Sequence, residues 1–199
     1  MAVHRIIETL AARSGDSTAI SDDHLTLSYR ELNQRANAVA RHLIAHGFRR
    51  GGMAIVRLPR RADTAIVLLG ILKAGGAYVL IESASNDAKW PRGVSFAEKV
   101  EGDEVRYRAV DVTAALQQRT VSSANLPILA RDSDVACMIP GRDGSPLLLV
   151  PHATIMALRE RTVAPLAEWS GEDGALDLWI GLMNGATVTL SDSELRSAA

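Results

Sequence analysis

The sequence lacks most features of secreted, membrane-spanning and metal-binding proteins. Cys137 is the one cysteine among 199 residues, so the chain cannot form an internal disulfide or a cysteine-based metal site by itself. No apolar run approaches the ~20 residues that span a bilayer. The segment 1–13 is too polar for a signal peptide. These absences predict a cytoplasmic protein.

Aromatic residues and excess charge are also scarce. Aromatics make up 4% of the chain and hydrophobic residues 47%, so the core must rest on Leu, Ile, Val and Ala. The 22 basic and 23 acidic residues give a formal net charge of −1. That balance argues against a general nucleic-acid binder or an anionic-membrane binder, because both need a surplus of positive charge.

What the sequence does contain is an alternation of helical and strand patterns. Ser28 and Glu31 form an S-x-x-E capping box that opens a helix, and Gly47 is placed to end it. A strand, an apolar helix and a strand follow over residues 53–58, 63–74 and 77–81. This order predicts a βαβ unit with a right-handed crossover. We expect an α/β domain of three layers, with a largely parallel sheet flanked by helices.

A glycine-bearing loop is the most informative segment. Residues 139–147 read I-P-G-R-D-G-S-P-L and lie between two apolar runs, 135–139 and 147–150. A loop that holds a nucleotide needs backbone N–H groups, hydroxyls and usually a cation. This loop has the turn, but it has no lysine or threonine, and Ser145 is its one serine. A plain β-turn over 141–144 is the favoured interpretation, because G-R-D-G is good turn chemistry.

Two motifs resemble the adenylation domains of non-ribosomal peptide synthetases, which are adenylate-forming ligases. Residues 27–37 read L-S-Y-R-E-L-N-Q-R-A-N, which resembles the family's L-T/S-Y-x-E-L-N-x-x-A-N motif. Residues 72–79 read L-K-A-G-G-A-Y-V, which matches L-K-A-G-x-A-Y-V. The stretch 177–190 is similar to a later family segment. The resemblance implies that residues 1–131 form the first α/β portion of an adenylation-like domain. Residues 132–199 would then be the truncated start of the second portion, packed on the first.

The chain departs from the family where the family binds ligands. The family's phosphate loop reads T-S-G-S-T-G-x-P-K-G. The residues of this chain that align with the defined positions of that motif are Ile139, Pro140, Gly141, Arg142, Asp143, Gly144, Pro146 and Leu147. Only the two glycines and Pro146 are kept, and Leu147 stands in place of the lysine. Asp143 adds a negative charge, which would repel phosphate. In the substrate pocket, G-E-D-G replaces the family's F-D-x-S, so Glu172 offers a carboxylate without the aromatic partner.

These departures predict a pseudoenzyme with no catalytic residue, no metal site and no bound ATP or magnesium. In the family, the motifs that bind adenine and ribose and the subdomain with the catalytic lysine lie beyond Ala199. We expect a structural or protein-interaction role in non-ribosomal peptide or related secondary-metabolite biosynthesis. The expected partner is a synthetase module, a carrier protein or a second copy of the chain, with no nucleic acid and no membrane. Two alternatives stay open. One is half of a split amino-acid-activating (AMP-forming) ligase completed by another chain, and the other is a sensing module for an amino acid or nucleotide.

Other reactive or charged side chains have simpler interpretations. His152 follows a strand end and is expected to pack or cap rather than catalyse. His42 and His46 have the i, i+4 spacing of metal ligands, but a solvent-facing pair is favoured, since no third ligand stands out. Cys137 and Trp179 are expected in the core. A basic cluster could meet an acidic partner such as a carrier-protein surface, although a solvated face is favoured; its members are Arg49, Arg50, Arg57, Arg60 and Arg61.

Overall fold

Helices and strands alternate along the chain in the computed structural model, which describes residues 1–81, 92–99, 105–118, 122, 124–127, 130–140, 147–161 and 175–190. The helices are α1 Val3–Arg13, α2 Tyr29–Ala45, α3 Ala62–Lys73, α4 Thr113–Gln117, α5 His152–Arg161 and α6 Leu176–Met183. The strands are β1 Thr18–Ser21, β2 Thr26–Ser28, β3 Met53–Arg57, β4 Ala77–Leu80, β5 Gly93–Lys99, β6 Val105–Val110, β7 Val135–Ile139, β8 Leu148–Pro151 and β9 Val188–Thr189.

The main sheet has the strand order β6-β5-β3-β4-β7-β8. At its centre, β4 pairs in parallel with both β3 and β7. The outer pairings, of β5 with β3 and β6 and of β8 with β7, are antiparallel. The predicted α/β class with flanking helices is confirmed, but the sheet is mixed rather than largely parallel. Connection length is the reason at both edges. Residues 100–104 and 140–147 are too few for the dozen or more that a parallel crossover needs.

A second, smaller sheet has the order β2-β1-β9. β1 pairs with β2 in antiparallel fashion as a hairpin. Asp22 fixes its turn by accepting hydrogen bonds from the N–H groups of His24 and Leu25 at 2.8 and 2.6 Å. The other carboxylate oxygen of Asp22 accepts the N–H of Ala62 at 2.8 Å, at the first residue of α3. The hairpin turn therefore also caps a core helix.

Helix α2 begins and ends as the sequence predicts. The N–H of Ser28 donates to Glu31 Oε2 at 2.9 Å, and the N–H of Glu31 donates to Ser28 Oγ at 3.3 Å. Gly47 has a φ of +94°, the left-handed conformation of a residue that follows a helix. Its buried face consists of Leu32, Ala36, Val39, Ala40 and Leu43, and Ile44 is exposed.

Helix α3 is apolar from Ala65 to Leu72, and every residue of that stretch is buried. It packs closely on α2 at Gly70, where an added Cβ would come within 2.7 Å of Val39 Cγ1. All six described helices contribute residues to one large hydrophobic cluster. Ile55, Val79 and Ile81 form a small cluster with partly buried strand residues. The described residues therefore establish the sheet and one helical layer, and the third layer stays a prediction.

Residues after 131 enter both sheets, through β7 and β8 in the main sheet and β9 in the small one. The division into portions 1–131 and 132–199 stays a prediction. Across the described segments, no helix is both long enough and apolar enough to cross a membrane.

Candidate functional site

The loop singled out by its glycines joins β7 to β8 as a hairpin connection. Ile139 pairs with Leu148, and Cys137 pairs with Val150. The prediction that this loop lies between two apolar strands is confirmed. The positions Gly141, Arg142, Asp143, Gly144 and Pro146 lie outside the described residues, as does Glu172. Leu147, in place of the expected lysine, is 37% exposed.

The described part of this hairpin offers little to a nucleotide. In segments 135–140 and 147–151 every side chain is apolar apart from the thiol of Cys137. Cys137 is fully buried, and burial raises the pKa of its thiol to about 12. The thiol stays protonated at neutral pH, so it is not a nucleophile. The predicted role of Cys137 as a small buried hydrophobe agrees with this environment.

The inner end of the hairpin is anchored to α6 through an aromatic pair. Cys137 lies opposite Tyr78 of β4. The hydroxyl of Tyr78 accepts a hydrogen bond from Trp179 Nε1 at 2.6 Å, and both rings are fully buried. Burial raises the pKa of Tyr78 well above its usual value. The prediction that Trp179 is a core anchor is confirmed, and the tyrosine of the L-K-A-G-G-A-Y-V motif has a packing role here.

His152 opens α5 at the end of β8 and is fully buried. Its Nδ1 accepts the N–H of Val3 at 3.2 Å, which ties α1 to α5. The ring of His4 lies edge-on to it, with centroids 6.0 Å apart. Burial lowers the pKa of His152 to about 4 and that of His4 to about 3. Both imidazoles are neutral, and the predicted packing or capping role of His152 agrees with these contacts.

His42 and His46 stack on each other, with ring centroids 4.1 Å apart. One nitrogen of each ring donates to a backbone carbonyl, His42 Nε2 to Asp111 and His46 Nδ1 to His42, both at 2.8 Å. Within the described residues no group of three or more His, Cys, Asp or Glu side chains could hold a metal ion. The i, i+4 spacing therefore serves stacking and helix-end contacts.

The structure divides the predicted basic cluster. Arg49 and Arg50 precede β3, whereas Arg57 ends it and Arg60 and Arg61 lead into α3. A five-residue strand spans ~16 Å, so the two groups of arginines lie at opposite ends of β3. Arg50 pairs with Asp134 at 3.5 Å, and Arg57 is only 7% exposed. The predicted cluster is thus divided between the two ends of β3, and one of its members is buried.

The sequence did not predict a buried polar network among α1, α2 and α3. Lys73 Nζ lies 2.6 Å from Glu8 Oε1, with both side chains at most 6% exposed. Asn125 Oδ1 accepts hydrogen bonds from Lys73, Asn33 and Asn37 at 3.4, 2.9 and 3.2 Å. Burial lowers the pKa of Lys73, and Glu8 opposes that shift. The sequence feature that could have indicated this network is Lys73 itself, a charged residue at the end of a mostly apolar helix.

Fold and motifs together define a class. The L-S-Y-R-E-L-N-Q-R-A-N motif leads into α2, and the L-K-A-G-G-A-Y-V motif runs from the end of α3 through β4, inside one α/β core. That is the arrangement expected for an adenylate-forming ligase. The family model described as AMP-binding enzyme matches residues 7–128, more than half of the chain. The chain belongs to the AMP-binding enzyme family.

The relatives narrow this family to peptide synthetases. Bacitracin synthase 1 of Bacillus licheniformis is 28% identical over 96% of this chain, which spans 4% of the synthase. The Klebsiella oxytoca NpsA N-terminal subdomain matches 95% of this chain with a TM-score of 0.74 and 19% identity, and the chain covers 53% of that subdomain. The peptide synthetase FmoA3 matches 96% of the chain with a TM-score of 0.74, 22% identity and 23% of its own length covered. The chain is thus related to the adenylation domains of non-ribosomal peptide synthetases and has about half the length of one such subdomain.

Proposed function

We propose that the chain is a non-catalytic relative of the ATP-dependent amino-acid-adenylating ligases. Its role is structural or interactive, in non-ribosomal peptide or related secondary-metabolite biosynthesis. The observation that carries the proposal is the composition of the β7–β8 loop. Leu147 stands where the family has lysine, and the family's four hydroxyl residues are replaced by Ile139, Pro140, Arg142 and Asp143.

The loss of phosphate-binding affinity can be estimated from the hydrogen bonds that the loop no longer makes. A hydrogen bond to a charged group contributes about 1.5 to 3 kcal/mol. Four missing hydroxyls correspond to roughly 6 to 12 kcal/mol, or at least about ten-thousand-fold in affinity. The absent lysine removes a cation, and Asp143 adds an anion. The apolar side chains that flank the loop in β7 and β8 supply no replacement.

ATP–pyrophosphate exchange with a panel of amino acids tests the proposal. The pure chain is expected to give no exchange above the enzyme-free background for any amino acid. A competent adenylation domain assayed in parallel shows that the reagents work. Amino-acid-dependent exchange by the pure chain would refute the non-catalytic role.

A second candidate is half of a split ligase, in which another polypeptide supplies part of the active site. The family motifs kept at residues 27–37 and 72–79 favour it. This candidate predicts exchange when the chain is purified with its cellular partners, although the pure chain has none. The non-catalytic proposal predicts no exchange by this chain in either preparation. Exchange that requires both polypeptides would decide for the split ligase.

A further inference from the structure

A short segment without regular secondary structure lies over the buried polar network of α1, α2 and α3. It consists of Ser122 and residues 124–126 and is called the strap here. All of these residues are exposed except Leu126, which packs against the large hydrophobic cluster. Asn125 of the strap nonetheless contacts three side chains that are at most 6% exposed, those of Asn33, Asn37 and Lys73. An exposed residue therefore reaches into a buried polar site.

The chemistry of the contacts identifies the atom of Asn125 that enters this site. Lys73 Nζ lies 3.4 Å from it and can only donate, so the atom is the amide oxygen Oδ1. Asn33 and Asn37 then donate to the same oxygen through Nδ2, at 2.9 and 3.2 Å. A carbonyl oxygen has two lone pairs, so three converging donors are more than it accepts well. The three donors, called the socket here, would suit an oxygen that carries negative charge.

The charges around the socket favour a negative oxygen as well. Arg5 and Arg41 lie close enough to Lys73 to repel its positive charge. Glu8 is shared between two of these cations, since its carboxylate lies 2.6 Å from Lys73 Nζ and 2.8 Å from Arg5 Nη1. These four side chains together carry an excess of positive charge. The neutral amide of Asn125 solvates the ammonium group of Lys73 but does not neutralise it.

Polar contacts hold the rest of the strap. The guanidinium group of Arg41 donates to the carbonyl of Ser122 at 3.4 Å and to the carbonyl of Ala124. The hydroxyl of Ser122 accepts the N–H of Ala124 at 3.3 Å. Leu126 supplies the apolar contact. Segments with few buried apolar contacts and exposed hydrogen bonds open at a lower free energy than a core does. The strap has both properties, whereas the helices beneath it are packed in the core.

We propose that the strap opens separately from the core and controls the access of solvent to Lys73, with Asn125 as the positioning residue that closes it. Asn33 and Asn37 belong to the motif at residues 27–37, and Lys73 belongs to the motif at residues 72–79. The two family motifs therefore share a task that requires no nucleotide. This inference goes beyond the proposed function, and it holds whether or not the chain activates amino acids.

The rate at which acetic anhydride acetylates Lys73, followed by peptide mass spectrometry, measures the opening of the strap. Asn125→Ala removes the acceptor of a charged donor and should raise this rate about ten-fold or more. Asn125→Asp adds a carboxylate to the socket and should lower the rate below that of the wild type. Ser122→Ala is the matched control, because Ser122 is also exposed in the strap but its side chain contacts Ala124. This control should keep the wild-type rate.

The urea dependence of the wild-type rate keeps the test decisive if Asn125→Ala fails to fold. A local opening exposes less surface than global unfolding does, so the acetylation of Lys73 should rise less steeply with urea than the unfolding constant. Equal steepness would mean that Lys73 is reached only through global unfolding, which would overturn the proposal. An unchanged rate in folded Asn125→Ala or a faster rate in Asn125→Asp would also overturn it. Pyrophosphate exchange by the chain would refute the non-catalytic role alone.

Discussion

Two regions of the protein differ in which side chains they bury. One is the contact region of α1, α2 and α3, and the other is the β7–β8 hairpin. Around Lys73 the protein buries charged and amide groups, and it pairs the ammonium group with Glu8 and Asn125. At β8 it leaves Leu148 and Leu149 more than half exposed. The first region lies within residues 7–128, which match the family model, whereas the hairpin lies outside them. The comparison shows that the helices pair the polar groups that they bury, whereas the hairpin leaves large apolar side chains exposed.

Removing one member of the buried pair should have the largest effect on stability. Glu8→Ala leaves the Lys73 ammonium group without its carboxylate, and breaking a buried pair in this way costs about 3 to 5 kcal/mol. Urea unfolding measures the loss. The double variant Glu8→Leu with Lys73→Met is the control and should recover most of it, because no charge is then left buried. A loss below about 1 kcal/mol in Glu8→Ala would mean that the pair is not buried in solution.

Acid should lower the free energy of unfolding, because His4 and His152 are buried as neutral imidazoles. The pKa values of His4 and His152 are lowered to about 3 and about 4 by burial. Between those values and the unfolded value of 6.5, the unfolded chain binds more protons. Stability should therefore fall as the pH drops from about 6.5 towards 3, by a few kcal/mol.

Unfolding midpoints from pH 7 to pH 4 check this dependence. His4→Phe should reduce the slope, because it removes one of the two buried imidazoles. His24→Gln is the matched control, since His24 is exposed, and it should keep the wild-type slope. An unchanged slope in His4→Phe would show that His4 does not contribute to the acid sensitivity.

The sequence predicted the elements whose signals are local and missed those that depend on distant partners. The capping box at Ser28 and the positive φ of Gly47 could be predicted because each rests on neighbouring residues. The apolar run 135–139 singled out in the sequence forms β7 with the same bounds. Strand β5 was not predicted: its buried Val94 and Phe96 alternate, but the run is short and follows a polar segment.

For the site, the sequence predicted the loop and its apolar flanks, but not the surroundings. Glu8 and Lys73 are 65 positions apart, so no local pattern pairs them. The exposure of Leu148 and Leu149 also depends on strand order, because the same run would be buried in a central strand. The five arginines near β3 were grouped by sequence, although the strand separates them.

A smaller effect is expected from the tyrosine that connects α2 to the end of α6. The Tyr29 hydroxyl lies 2.8 Å from the carbonyls of both Leu182 and Ala186. Tyr29→Phe leaves these carbonyls without that donor, which should cost about 1 to 2 kcal/mol in urea unfolding. No measurable loss would indicate that water replaces the hydroxyl.

The smallest effect is expected at the hairpin edge itself. Leu149 is 55% exposed, so Leu149→Ala should change the free energy of unfolding by less than about 0.5 kcal/mol. Leu27→Ala is the matched core variant. Its side chain is fully buried, and it should cost about 2 to 5 kcal/mol. Similar losses for the two variants would show that β8 is covered within the single chain.

The central claim is that the hairpin loop no longer binds a nucleotide while the surrounding core remains folded. Calorimetric titration of the folded chain with Mg²⁺ and ATP tests it most directly. The account predicts no saturable heat up to about 1 mM ATP, which corresponds to a binding free energy weaker than about −4 kcal/mol. A saturable isotherm with a dissociation constant in the micromolar range would contradict it.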